Sequence, residues 1–67
     1  MYKNNLPVKD RVKQEFYDLS DKIEKLKLFL ETDKFKSLTD LSKEQLTLQL
    51  SVMTSYQNIL ADRIKTL

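Results

Sequence analysis

Leu41-Ser42-Lys43-Glu44-Gln45-Leu46 reads as the beginning of a helix, and this start sets the register of everything after it. Ser42 is placed to accept from the amide three residues on, while Gln45 reaches back to the amide of Ser42. Together they form a capping box, with Leu41 and Leu46 in the flanking positions of a hydrophobic staple. The helix that starts here is expected to run over about 43–66. Its inner line is Leu46, Leu50, Met53, Gln57, Leu60, Ile64 and Leu67, in alternating steps of four and three. That is coiled-coil spacing and defines one buried face. Gln57 is its single polar interruption. Such a residue sets register or association state, so Gln57 is expected at a contact between copies.

Upstream, Val12, Phe16, Leu19, Ile23, Leu26 and Leu30 repeat the same alternation and predict a first helix over about 10–32. Pro7 sits where a helix begins without penalty, because a first turn needs no N–H there. Asp18–Lys22 and Asp21–Lys25 place an acid four residues before a base, which supports an exposed flank. Residues 33–41 continue neither period and read as a polar hinge, with Phe35 and Leu38 folding back over the end of the helices. The expected organisation is an N-terminal tail over 1–8 and one helical domain over 9–67. The fold class is all-α, an antiparallel two-helix hairpin.

Leu48, Val52 and Ile59 form a second apolar stripe on helix two, about 120° from the first at 100° per residue. Tyr17 and Leu28 lie together opposite the main stripe of helix one. A single partner helix cannot cover so wide an arc. The hairpin is therefore expected to assemble into a homo-oligomeric bundle through Leu48, Val52, Gln57, Ile59, Tyr17 and Leu28. Size points the same way: 67 residues form at most one small domain. Such a chain buries only roughly 60% of its unfolded surface.

Composition narrows the function. The sequence has no Cys, His or Gly. Disulfides, thiolate nucleophiles, the usual general base and glycine-rich phosphate loops are thereby excluded. No enzyme activity, metal or cofactor is expected. Twelve basic and ten acidic residues leave a net charge of +2 with interspersed signs, unlike the basic stripe of a DNA-binding domain, so no long nucleic acid is expected as a partner. The longest apolar run, Leu28-Phe29-Leu30, is far too short to span a membrane, and no signal peptide is evident after Met1. A cytoplasmic location is expected.

Ser42, Gln49, Tyr56 and Arg63 recur every seven residues, and the last three lie between the two apolar stripes of helix two. Polar groups so placed need partners, since an unpaired buried one costs about 1–3 kcal/mol. In one reading the partners belong to a neighbouring subunit, with Arg63 paired to Glu15 or Asp18 and Tyr56 an interface aromatic. In the other, the row faces a pocket between protomers. Arg63 then offers a planar fork to phosphate, Tyr56 a stacking face and Gln49 an amide for a base edge. Lys43 and Lys65, near opposite ends of the helix, would add positive field. Asp18, Asp21 and Glu24 read as a solvated face rather than a divalent-ion site, because each has a lysine three or four residues away. Lys22, Lys25, Lys27, Lys34 and Lys36 make a loose basic edge. Ser51, Thr54 and Ser55 have no base to activate them.

With Leu46-x-x-Gln49-Leu50-x-x-Met53-x-x-Tyr56-x-x-Ile59-Leu60-x-x-Arg63-Ile64 in helix two, the chain resembles small helical proteins of crAss-like and other phages. Arg11-x4-Phe16-x2-Leu19-x2-Lys22-Ile23-x2-Leu26-x2-Phe29 in helix one supports the likeness, which covers residues 9–66. In architecture the chain is also similar to phage sponges of the anti-CBASS and anti-Thoeris type. Those are short helical hairpins that oligomerise and hold a nucleotide immune signal between subunits. The resemblance implies a non-enzymatic anti-defence protein of the infected bacterial cell. It would sequester a cyclic dinucleotide or an ADP-ribose derivative. The alternative is a helical interaction or structural module that binds a host or phage protein. Neither likeness carries over a binding residue one by one.

Overall fold

The computed structural model describes residues 8–67, and among them every regular element is helical. Helix α1 spans Val8–Leu30, a short α2 spans Asp33–Lys36, and α3 spans Asp40–Thr66. The position of Pro7 lies outside the described residues, as does the tail but for Val8. Asp10 in the first turn of α1 and Lys27 in its last both complement the helix dipole. At about 1.5 Å per residue α3 is roughly 40 Å long. It accounts for most of the 44 Å length of the molecule, whose other extents are 24 and 16 Å.

The main stripes of α1 and α3 face each other. Val12 and Ile23 of α1 and Leu60 of α3 are buried, Leu60 completely. Phe16, Leu19, Leu26 and Leu30 are half-buried against them, as are Leu46, Leu50, Met53 and Ile64. Leu67 does not continue the inner line: it caps the C-terminus of α3 and is exposed. The polar position of the line is accommodated inside the chain. Gln57 Nε2 donates to Ser20 Oγ at 2.6 Å, and Ser20 Oγ donates in turn to the Phe16 carbonyl at 2.8 Å.

The local signals at the joint are rearranged from the expectation. Thr39, not Ser42, caps α3: its backbone is extended and its hydroxyl accepts from the Ser42 amide at 3.2 Å. Ser42 thus falls inside the first turn, with its Oγ accepting from Thr39 Oγ1 at 3.0 Å. Leu41 projects into solvent at 63% exposure, so it forms no staple. The hinge itself contains α2. Thr32, also extended, accepts from the Phe35 amide at 3.2 Å and so ends α1 while starting α2. Phe35 and Leu38 are half-buried, and the Phe35 ring meets Phe29 edge-on at 6.1 Å. Of the two acid–base pairs, Asp21–Lys25 forms at 3.0 Å. Asp18 accepts instead from Gln14 at 3.1 Å.

Candidate functional site

The polar row of α3 lies about 80° from the line that packs on α1, a rotation fixed by 100° per residue. That angle leaves Gln49, Tyr56 and Arg63 exposed along the edge where the two long helices meet, with Ser42 half-buried at its start. The row is tied to α1 at one point: the Tyr56 hydroxyl donates to Glu15 Oε2. Glu15 stands at the border of the α1 stripe, immediately before Phe16, and so reaches across the helix pair. The hydrogen bond to Glu15 is the largest reason that the Tyr56 hydroxyl is held above its ordinary pKa. Slight desolvation and the negative charge of Glu15 act in the same direction, while the positive charge of Arg63 opposes them.

Within the chain Glu15 is therefore engaged by Tyr56. Among the described residues Arg63 makes no ion pair, and its guanidinium stands exposed near the end of α3. Among the described residues Gln49 makes only a weak contact, its Nε2 lying 3.8 Å from Met53 Sδ. Successive members of the row are about 10 Å apart along the axis, so a small ligand touches no more than two of them on one chain. Lys43 is half-buried and Lys65 exposed, about 33 Å from each other along the helix, and they do not converge with Tyr56.

Leu48, Val52 and Ile59 are 54–63% exposed, and Tyr17 and Leu28 are similarly open, whereas Gln57 faces α1 within the chain. Leu41 joins the exposed stripe, seven residues before Leu48. In the sequence its fit to a staple hides that role. The other residues that the sequence does not single out for these roles are Glu15 and Ser20, the α1 partners of Tyr56 and Gln57. Among the described residues no three potential metal ligands cluster, Asp18, Asp21 and Glu24 included. No helix among them is long and apolar enough to cross a membrane. Lys25 and Lys36 of the basic edge lie within 4.0 Å of Asp21 and Asp33 respectively.

A family model described as Sequestin matches residues 6–66, which takes in both long helices and the whole polar row. No curated protein and no solved structure matches the chain.

Proposed function

The chain belongs to the Sequestin family, and on that footing we propose that it captures a nucleotide-derived signal and releases it intact. In this reading it is a helical hairpin whose copies assemble, with the ligand held between them. The ligand is a cyclic dinucleotide or an ADP-ribose derivative, and the biological setting is phage evasion of bacterial immunity in the host cytoplasm. The family name supports sequestration. The observation that carries the nucleotide is Arg63, an exposed guanidinium with no carboxylate paired to it among the described residues, on the same line as the aromatic Tyr56. An arginine fork binds phosphate oxygens in pairs, and a tyrosine ring stacks on a base. Gln49 adds donors and an acceptor for a base edge, while Lys43 and Lys65 contribute field. With no histidine or cysteine in the sequence, binding rather than turnover is what these groups can perform.

Equilibrium binding of signalling nucleotides to wild type and Arg63→Ala, with size measured in parallel, tests this reading. An Arg63→Ala protein that keeps its assembly state is expected to lose the ligand. Binding as tight as the parent's in that variant removes Arg63 from the site. The exposed aliphatic stripe of α3 favours a second reading, a helical module that engages a host or phage protein. That reading takes over if no nucleotide in a broad panel binds the wild type.

A further inference from the structure

Leu41, Leu48, Val52 and Ile59 share one line of α3 and are 54–63% exposed, on the face turned away from α1. Around them residues 45–61 carry no charged side chain at all, although a third of the chain is charged. A solvent-facing helix of a small protein normally disperses charge over its outer surface. A charge-free centre is instead what buried interface cores display. It has a further meaning when two identical surfaces meet across a two-fold axis. Any charge near the axis then faces its own copy, so a self-pairing helix needs a neutral middle, whereas a foreign partner does not impose that condition.

We propose that the occupant of this face is a second copy of the chain, its α3 antiparallel to the first, with Leu41 against Ile59 and Leu48 against Val52 of the second copy. This register sets every exposed aliphatic of the stripe against another aliphatic and leaves only Gln45 opposite Ser55 in between. Sliding one helix by seven residues brings Glu44 near Lys65 of the second copy, but it leaves Leu41 facing Thr66 and Val52 facing Ser55. An exposed ion pair contributes less than the burial of the aliphatics it would displace, so the first register prevails. A parallel pairing is disfavoured because it aligns Asp62 with its own copy.

The consequence for the candidate site is geometric. The row of Gln49, Tyr56 and Arg63 becomes one flank of the pairing, so that the second α3 forms one wall of a groove and α1, with Glu15, the other. Gln49 meets its own copy near the axis, and Tyr56 faces Ser42 of the second copy. The pairing rests on the self-association in the proposed function but not on the identity of the ligand.

Introduced cysteines test the register against a clean background, since the sequence has none of its own. A disulfide needs Cα atoms about 4.4–6.8 Å apart. Helices packed about 8–10 Å apart bring Cα atoms within that range only near their contact line, where Gln45 stands opposite Ser55 of the second copy. Along the helices Ser55 is about 15 Å from its own copy and Asn58 about 24 Å. Under mild oxidation without ligand, the double variant Gln45→Cys/Ser55→Cys is expected to give a covalent dimer on non-reducing electrophoresis, with Ser55→Cys alone and Asn58→Cys alone remaining single chains. Cross-linking of Ser55→Cys alone overturns the register or the antiparallel sense, since both alternatives bring Ser55 to its own copy. Cross-linking of Asn58→Cys overturns the antiparallel register, and no cross-link in the double variant overturns the pairing. None of these outcomes depends on nucleotide, so failure here is distinct from failure of nucleotide capture.

Discussion

Tyr56 and Glu15 come from different helices and from positions 41 residues apart, yet they form one hydrogen-bonded unit. The raised pKa of Tyr56 has a definite sign for stability. The folded state holds the phenolic proton more tightly than the unfolded chain, whose tyrosine titrates near ~10. The contribution is thus fully present below that value and is lost as pH rises through the folded pKa. Replacing Glu15 by Gln removes the carboxylate charge and the charge-assisted bond. The tyrosinate absorbance titration of Glu15→Gln is expected to show one tyrosine ionising at lower pH than in wild type. A superimposable titration would mean that the two side chains do not pair in solution. Residue by residue, the sequence revealed which positions of α3 are polar and aligned, because that depends on helical spacing alone. It offered Glu15 only as a partner of Arg63 across subunits, and revealed neither Glu15 as the partner of Tyr56 nor Ser20 as that of Gln57. Which α1 residue stands opposite a given α3 residue depends on how far one helix slides along the other.

At the scale of the element, spacing made the two long helices legible, since an alternation of four and three marks a helix face wherever it occurs. The joint was less so. Thr39-Asp40-Leu41-Ser42 and Ser42-Lys43-Glu44-Gln45 are overlapping frames, each with a hydroxyl residue where a cap belongs. The structure selects the first, which lengthens α3 and places Asp40 in its positive first turn. α2 was illegible because four residues are too few for a period; only its cap, Thr32, is a readable signal. The choice of cap has a measurable effect. Loss of an N-cap hydroxyl costs about 1 kcal/mol. Thr39→Ala is expected to lower stability in denaturant unfolding by that order and Ser42→Ala by clearly less. The reverse ranking would restore Ser42 as the cap.

The whole molecule is sparing in its core. Val12, Ile23 and Leu60 are its buried hydrophobic residues among those described, while four aliphatic side chains of α3 stand outside. Each fully buried aliphatic stabilises by about 1.5–3 kcal/mol, so an isolated chain has little surplus over the entropy of ordering it. In the proposed assembly, association covers the exposed stripe and, in the same step, brings the row containing Tyr56 and Arg63 alongside a second copy. Stability, assembly and capture are then coupled through one face of α3. Native mass spectrometry after incubation with a panel of signalling nucleotides reads assembly and capture together. The expected result is a complex at a multiple of the 8.0 kDa chain mass that carries a nucleotide, released with unchanged mass on denaturation. A single chain with no nucleotide retained from any member of the panel, or a nucleotide recovered chemically altered, would contradict it.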